Sequence, residues 1–426
     1  MAVCCFENNY HQKYKCNYEI KENNIEIEVE YDIGDEVEPV NGVKFFGSDT
    51  EYRERDILLI DYDNSKNILL KNAYYVGYSN VIGTPDSKTV TRFQSSVYFE
   101  HDELDKLALL PATPKINRIK VFSKSINDLI GYPSLVIKKS DSEFSINLSK
   151  VNCSKSVEIN SNNIKRITVA DDWRSSQNGK LHNITIDFNG YVEIELVKRV
   201  NYDLATDFLY EQQIFMQLYY PYNFHVDKIY VMVDGEYYKL SLPQREFEYK
   251  EKYIEKTVKE DLLDFLKRCY INIPYRNSKT ELRNIPYIVM KTSRSIEDNF
   301  LMFYRFIECY YKKQQISKIR TTFITYSIKV HYAPKYHLSD EQIENYAQEI
   351  ICLRNHYVHS GYFIKNSCLR VSFDKINQKK NPRDYTVSNV DIHWIYERTK
   401  ILYRIVIDII FHNMLGYSDY KFSRHF

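Results

Sequence analysis

The first 245 residues follow the alternation of apolar and polar positions that is typical of β-strands. Ile25, Ile27 and Val29 alternate with glutamates, so this segment has one apolar face and one polar face. A period of two residues predicts a half-buried strand. Similar runs occur near residues 57–62, 67–78, 89–99, 117–123, 133–138, 143–148 and 164–169. So many short strands predict an antiparallel sandwich or barrel-like domain.

Two tight hairpins are predicted where an Asn or Asp followed by a glycine separates two alternating runs. One pair is Asn189 with Gly190, and the other is Asp234 with Gly235. Both central positions of a type I′ turn need a positive φ, which these residue types adopt at low cost. One helix, over about residues 203–218, is expected to interrupt the strands.

From about residue 250 the apolar positions recur with the period of a helix instead. The helical patterns cover about 252–269, 297–314, 340–360 and 391–415, with a shorter one near 316–328. Ser339 precedes the acidic residues Asp340 and Glu341, which predicts a capped helix start. In the helix over 297–314, one stripe carries Phe300, Phe303, Tyr304, Ile307 and Tyr311.

This change of period predicts an α+β chain with a mainly antiparallel β domain followed by an α-helical bundle. We expect the β domain to cover residues 1–248 and a helical connector to cover 249–290. The helical domain then covers residues 291–426. At 426 residues the chain is long enough for two or three domains.

The composition excludes one large class of nucleotide-binding protein. The chain has only 11 glycines, where ordinary usage would give about 30, and neither G-x-G-x-x-G nor G-x-x-x-x-G-K-[ST] occurs in it. We therefore predict no phosphate-cradling glycine loop and no cofactor. The eight cysteines are scattered, as expected for reduced thiols in a cytoplasmic protein.

The start of the chain argues against secretion, and its most apolar segment argues against membrane insertion. The start of the chain lacks the charged and apolar regions of a signal peptide. The most apolar stretch, residues 401–415, contains Arg404 and Asp408 and is too short to span a bilayer. The sequence thus predicts no membrane partner.

The charges divide unevenly along the chain. The formal net charge is +1, which alone does not indicate a polyanion-binding protein. Residues 297–426 contain 19 Lys and Arg against 13 Asp and Glu, a net charge of +6, while residues 1–296 carry −5. The C-terminal part is therefore the better candidate for contacting phosphates.

The helix that starts after Ser339 ends in a group of polar side chains. Asn355 and His359 are i,i+4 neighbours on its polar side, and Arg354 lies at the edge of the apolar stripe. Gly361 is placed to end the helix, so His359 lies in the last turn, where the helix dipole stabilises an imidazolium. The apolar stripe consists of Ile343, Tyr346, Ala347, Ile350, Leu353 and Tyr357.

These residue types suit metal-free cleavage of RNA. The 2′-hydroxyl of RNA is the nucleophile, so an enzyme needs a proton-transfer group and a donor for the phosphoryl oxygens. Histidine is the natural proton-transfer group, and arginine is a planar, charged donor. Asparagine can orient either group. The spacing alone fits a solvated helix end better than a catalytic site.

Arg354, Asn355 and His359, followed by Gly361, resemble the R-x(4–6)-H ribonuclease motif of the HEPN superfamily. The surrounding sequence resembles its ApeA-like branch, which is known for antiphage defence. Residues 297–310 are similar to the first HEPN helix of that branch, and residues 391–416 to its last helix. The resemblance is strong over about 290–416 and loose over 1–245.

The resemblance implies a HEPN bundle that dimerises and brings two R-x4-H motifs into one composite site. The implied activity is a metal-independent endoribonuclease that leaves a 2′,3′-cyclic phosphate and needs no cofactor. Relatives act on host tRNA and arrest growth during phage infection, so RNA, with tRNA first, is the expected partner. A second copy of the chain and a phage-encoded trigger protein are the other partners it implies.

Residue by residue, Arg354 and His359 carry over as catalytic, and Asn355 occupies the polar position after the arginine. His356 is an addition to the motif that is expected to face solvent, with a second acid–base role as the alternative. Glu308 is expected to pair with Arg354 across the bundle, although a packing ion pair fits equally well. The loop over 375–385 is expected to hold RNA through Lys375, Lys379, Lys380 and Arg383, although ordinary solubility charge explains these residues equally well.

Two other functions remain open. In the first, the HEPN dimer is catalytically inert, and the β domain recognises a phage protein or a nucleic acid. In the second, the chain is a toxin held in check by a separate antitoxin. The first is the main alternative to the ribonuclease.

Metal-dependent chemistry has weaker support in the sequence, and no metal is predicted. The spacing of the N-terminal cluster matches no standard zinc finger, and the pair His356 and His359, with Cys352 one turn before, lacks a fourth ligand. Fragments of a PD-(D/E)xK nuclease pattern, at 83–86 and 248–250, lie far apart in the sequence. The N-terminal cluster consists of Cys4, Cys5, His11 and Cys16.

The acidic pair Asp171 and Asp172 beside Trp173 is also a candidate for carbohydrate chemistry. We interpret it instead as part of a loop between two strands.

Overall fold

The computed structural model describes most of the chain, and over several stretches, as at His356 and His359, only the backbone. The described residues are 2–6, 11–21, 24–30, 54–80, 89–111, 113–130, 134–139, 144–149, 154–159, 161, 163–178, 183–220, 224–242, 258–273, 295–313, 320–360 and 392–420. The chain divides into two compact units. The β unit contains Met1–Leu209 and His225–Glu246, and the helical unit contains Tyr210–Phe224 and Phe247–Phe426.

The described strands of the β unit pair antiparallel throughout, as predicted. They are β1 (Ala2–Phe6), β2 (Tyr14–Ile20), β3 (Ile25–Glu30), β4 (Arg55–Asp61), β5 (Lys66–Asn80), β6 (Thr89–Ser95), β7 (Val97–Glu100), β8 (Ile116–Phe122), β9 (Ser134–Lys139), β10 (Phe144–Ser149), β11 (Lys155–Glu158), β12 (Ile164–Asn178), β13 (Asn183–Val200), β14 (Lys228–Val233) and β15 (Glu236–Ser241). Two short helices, α1 (Leu104–Ala108) and α2 (Lys124–Ile130), lie between them.

One large sheet contains every described strand except the separate pair of β9 and β10. Its order is β11-β12-β13-β8-β14-β15-β7-β5-β4-β1-β2-β3-β6, and β6 also pairs with β5. This last pairing closes six strands, β5-β4-β1-β2-β3-β6, into a ring. Apolar side chains from the ring form a buried core that includes Cys4, Ile27, Leu59, Ile68 and Phe93.

The turn at Asp234 and Gly235 is confirmed. Their φ angles are 50° and 96°, and β14 and β15 pair directly on either side of them. The alternating runs also mark real strands, because the buried side of β3 carries Ile25, Ile27 and Val29. The alternation missed β1, β2 and β11 together with the helices α1 and α2.

The turn predicted at Asn189 and Gly190 is wrong, because β13 runs through both residues without a break. The Gly190 N–H donates to the Asn127 side-chain oxygen of α2. A Cβ atom at Gly190 would lie 2.8 Å from that oxygen and 2.8 Å from Ile126 Cγ2. The glycine is therefore required for the close approach of a helix to the sheet.

The loop predicted at Asp171 and Asp172 is also wrong. Both residues lie within β12, where Asp171 pairs with Gly190 and Asp172 pairs with Asn189. The second error follows from the first. A turn at Asn189 and Gly190 would leave no strand opposite Asp171 and Asp172, which in fact pair with these two residues. Strand β12 instead pairs with β13 along its whole length, from Asn178 opposite Asn183 to Ile164 opposite Leu196.

The described helices that follow are α3 (Tyr202–Tyr219), α4 (Leu262–Asn272), α5 (Ile296–Lys313), α6 (Arg320–Ser327), α7 (Ala333–Tyr336), α8 (Asp340–Ser360) and α9 (Ile392–Asp408). A π-helical turn, Ile328–Tyr332, joins α6 to α7, and a second one, Ile409–Met414, extends α9. Gly416, with φ of 76°, ends that extension. α3 begins in the β unit and ends in the helical unit.

The predicted helices at 203–218, 297–314, 340–360 and 391–415 correspond to α3, α5, α8 and α9. The aromatic stripe on α5 is buried as expected. The helix expected over 252–269 begins later, at Leu262, after the extended backbone of Asp261. Within the described part of the chain, no helix is both long and apolar enough to cross a membrane.

The position of Gly190 leads to a prediction about stability. Replacing Gly190 with alanine forces α2 away from β13, and overpacking of this kind costs about 1–3 kcal/mol. Chemical denaturation should show this loss in the free energy of unfolding. Gly77→Ala is the matched control, because Gly77 also lies in a strand and a Cβ there meets nothing within 4 Å. Equal effects of both changes would contradict this account of Gly190.

Candidate active site

Helix α8 begins with the predicted cap. The Gln342 N–H donates to Ser339 Oγ over 3.2 Å, and the Ser339 N–H donates to Gln342 Oε1 over 2.9 Å. This reciprocal pair is a capping box, which satisfies two backbone donors at the helix start. The start of α8 is therefore fixed locally by its own sequence.

A buried ion pair joins α8 to α9. Arg398 Nε donates to Glu349 Oε2 over 2.5 Å, and the guanidinium also lies over the rings of Tyr346 and Trp394, at 4.7 and 4.9 Å. Burial raises the pKa of the Glu349 carboxyl, an effect that the charge of Arg398 opposes. A buried carboxylate without its partner would be strongly unfavourable, so the pair holds the two helices together.

Arg354 is held near the end of α8 by two contacts. Its Nη1 donates to Asn355 Oδ1 over 3.1 Å, and its guanidinium lies 5.8 Å from the centre of the Tyr304 ring on α5. Tyr304 is only 2% exposed, whereas Arg354 and Asn355 are half-buried. A cation over an aromatic face is attracted to the ring quadrupole. The guanidinium is thus oriented while remaining partly accessible.

His359 lies in the last turn of α8, whose final residue is Ser360. It follows Arg354 by five residues, a rise of about 7.5 Å along the helix, and Asn355 by about one turn. The imidazoles of His359 and His356 are outside the described part of the structure, as are Gly361 and the loop over 375–385. The predicted RNA contacts of Lys375, Lys379, Lys380 and Arg383 therefore stay predictions.

Glu308 lies on α5, one turn after Tyr304, and is half-buried. Residues at i and i+4 share a helix face, so Glu308 is on the side of α5 that carries the ring beneath Arg354. Its pairing with Arg354 stays a prediction.

Tyr304 is a site residue whose sequence pattern indicates only a core position. Its spacing in the aromatic stripe identified the buried face correctly, but nothing local to α5 indicates contact with Arg354, fifty residues later. The one available signal is that Arg354 lies at the edge of the apolar stripe of α8, where its side chain must meet a neighbouring helix.

A second polar group in the helical unit is centred on the buried side chains of Asp408 and His331. Asp408 Oδ2 and His331 Nδ1 are 2.7 Å apart, and the Asp408 Oδ1 accepts hydrogen bonds of 2.7 Å from Lys335 and Tyr420. The opposite imidazole nitrogen, Nε2, is 2.6 Å from the hydroxyl of Tyr311. His331 is 2% exposed, so this group has the chemistry of a catalytic triad without access for a substrate.

The cysteines of the N-terminal cluster, Cys4, Cys5 and Cys16, are buried. Cys4 and Cys16 are buried in the core of the ring, and the contact between their thiols, with burial, raises the pKa of Cys4. His11 is exposed. Among the described residues, no three His, Cys, Asp or Glu side chains are arranged to hold a metal ion.

Cys352 is equally unsuited to bind a metal beside the histidines of α8. It is buried, and burial raises the pKa of its thiol to about 12. A metal ligand has to be the thiolate, so the protonated thiol is a poor donor at neutral pH. The segments of the PD-(D/E)xK pattern, 83–86 and 248–250, lie outside the described residues.

Comparisons with protein-family models, with curated proteins and with solved structures found no match for this chain. The assignment of a function therefore depends on the residues and their geometry.

The Asp408 cluster leads to a prediction about stability and pH. Its hydrogen-bond partners hold the pKa of Asp408 well below its usual range. A lowered carboxyl pKa stabilises the fold above about pH 4, and this contribution is lost as the pH falls below the unfolded-state value. Asp408→Asn should therefore lower the free energy of unfolding by about 3 kcal/mol at pH 7.

The control is Asp419→Asn, because the ion pair of Asp419 with Lys259 is exposed and contributes little. In urea denaturation of the full chain, the difference in the free energy of unfolding between wild type and Asp408→Asn should decrease as the pH is lowered from 5 to 3. A difference that is constant over this range would show that the charge of Asp408 is not the stabilising feature.

Proposed function

We propose that the chain is a metal-independent endoribonuclease, with Arg354, Asn355 and His359 at the end of α8 as its catalytic residues. The observation that carries this proposal is the environment of Arg354. The guanidinium is oriented by Tyr304 and Asn355, stays partly accessible, and lies within two turns of His359 on the same helix. An arginine that served only as a solvated charge at a helix end would not require the contacts with Tyr304 and Asn355.

The proposed reaction uses the 2′-hydroxyl of RNA as the nucleophile. A base removes the 2′-hydroxyl proton, the 2′-oxygen attacks the adjacent phosphorus, and the bond to the 5′-oxygen breaks. Arg354 stabilises the negative charge on the phosphoryl oxygens, and His359 donates a proton to the departing oxygen. The products are a 2′,3′-cyclic phosphate and a free 5′-hydroxyl, so neither water nor metal takes part in this step.

A second copy of the chain is part of the proposal. The reaction needs a base and an acid on opposite sides of the phosphate, and one α8 end offers a single motif histidine. Val358, which lies between Arg354 and His359, is 51% exposed. An exposed valine beside the polar residues supports a contact between two α8 ends, which would bring two motifs to one phosphate.

The proposed substrate is RNA, with host tRNA as the first candidate and growth arrest during phage infection as the outcome. The net charge of +6 over residues 297–426 supports a polyanionic substrate for the helical unit. A phage-encoded trigger protein is the proposed activator. This assignment corresponds to an ApeA-like member of the HEPN superfamily.

A second candidate function is a binding or sensor module with an inert helical unit. It is favoured by an aromatic-lined pocket on the β unit, described below. The two candidates differ in whether Arg354 and His359 are needed for protection against phage.

Purified full-length chain incubated with total tRNA in EDTA tests the proposal. Arg354→Ala and His359→Ala should each reduce the cleavage rate by at least about 100-fold, since each removes a group that acts in the transition state. The matched controls are Arg305→Ala, at an exposed position on α5, and His393→Ala, at an exposed position on α9. Both controls should cleave like wild type.

Cleavage by wild type and His359→Ala at the same rate would overturn the site assignment. Equal protection of cells by wild type and the double variant R354A/H359A would instead favour the binding module.

A further inference from the structure

The outer face of the large sheet carries a pocket of about 380 Å³, within the size range of small-molecule sites. It lies across β12, β13, β8 and β14, which are neighbours in the sheet, with Tyr237 of β15 at one side. The opposite face of the same strands is apolar and buried, with Ile119, Ile194 and Val231 among its residues. The pocket is therefore on the face that the core does not use.

The floor of the pocket is aromatic, because Phe122 and Tyr230 line it, and Tyr191 packs beside Phe122 without lining the pocket. The ring of Phe122 lies 5.2 Å from that of Tyr191 and 5.6 Å from that of Tyr230, between ring centres. Phe122 is buried, whereas Tyr191 and Tyr230 are half-buried. Partly exposed aromatic rings on a sheet face are stacking surfaces for planar groups, and every nucleobase has such a face.

Lys120 supports this floor from the side. Its Nζ lies 4.2 Å from the centre of the Tyr191 ring and 4.8 Å from that of Tyr237, and 3.9 Å from Glu193 Oε2. The charge of Lys120 is thus offset by a carboxylate and by two aromatic faces. Its role is to fix the rings rather than to attract a ligand.

The remaining polar groups lie at opposite ends of the aromatic floor. Asp172 and Asn189 face each other on β12 and β13 and offer acceptor oxygens. Lys228, an exposed ammonium, pairs in register with Phe122 from β14. Three strand spacings separate β14 from β12, on the order of 14 Å across the sheet. From β12 to β14 the acceptors come first, the Phe122 ring lies between, and Lys228 comes last, with Tyr230 two residues beyond Lys228 on the same strand.

We propose that this pocket binds a nucleotide, with the base over Phe122 and against the Tyr230 ring beside it, its exocyclic amine at Asp172 and Asn189, and its phosphate at Lys228. The base edge, the base plane and the phosphate of a nucleotide have the same order as these groups. A carboxylate accepts from an amine but repels a carbonyl, so the pocket selects bases that carry an amine. The inference does not depend on the proposed nuclease activity.

The ligand has two sources with the same chemistry, a free nucleotide and a nucleotide within single-stranded RNA. Calorimetry of the full chain in EDTA with 5′-CMP, 5′-UMP and a 2′-O-methyl cytidine octamer separates them. The octamer lacks the free 2′-hydroxyl, so the proposed nuclease cannot cut it. Binding of CMP identifies a free-nucleotide site, and binding of the octamer alone identifies an RNA site.

CMP and UMP differ by an amine against a carbonyl, so in the free-nucleotide case CMP should bind roughly tenfold more tightly. Asp172→Ala should remove that preference. If the cytidine octamer binds and CMP does not, the cytidine octamer is compared with a 2′-O-methyl uridine octamer instead. Lys228→Ala should weaken binding roughly tenfold, as expected for a charged hydrogen bond. Its matched control is Lys198→Ala, at an exposed lysine seven residues beyond Tyr191 on β13.

Tyr230→Ala should weaken binding about tenfold or more, because it removes the aromatic contact beside Phe122, and Tyr74→Ala, at an exposed tyrosine of β5, should not. Lys228 is exposed, so its variant is not expected to unfold the chain. The proposal would be overturned if neither CMP nor the cytidine octamer bound. Equal effects of Lys228→Ala and Lys198→Ala would also overturn it, as would equal binding of the cytidine and uridine ligands.

Discussion

The buried carboxylate of Asp408 is the interaction on which the helical unit depends. It accepts from the imidazole of His331, from Lys335 and from Tyr420, and the same imidazole contacts Tyr311. Because a carboxylate only accepts, Nδ1 of His331 carries the proton. Removing a carboxylate from water costs several kcal/mol unless partners surround it. The helices α5, α7 and α9 and the π-helical turn before α7 therefore have to assemble around this group together.

The end of α8 is positioned by helices that this cluster holds. Glu349 attaches α8 to Arg398 of α9, and Arg354 lies on Tyr304 of α5. The proposed catalytic groups are thus supported by two helices, and the capping box at Ser339 fixes the other end of α8. An accessible arginine with buried support suits a residue that must meet a phosphate in a defined orientation.

The sequence predicted those features whose cause is local. The stripe through Phe300, the cap at Ser339 and the turn at Asp234 all follow from residues within one or two turns of each other. The pair at Asn189 and Gly190 has the same local signature as the pair at Asp234, yet it lies within a strand. Its glycine is needed for a helix that lies sixty residues earlier in the chain, which no short-range pattern can indicate. The contact of Arg354 with Tyr304 and the pocket on the β unit were missed for the same reason.

The central claim is that the end of α8 cleaves RNA through the 2′-hydroxyl, without metal. Chemical analysis of the 3′ ends of RNA cut by the purified chain in EDTA tests it most directly. Attack by the 2′-hydroxyl should leave 2′,3′-cyclic phosphate ends, with 5′-hydroxyl ends on the other fragments. Free 3′-hydroxyl ends, or cleavage that stops when EDTA is added, would contradict it.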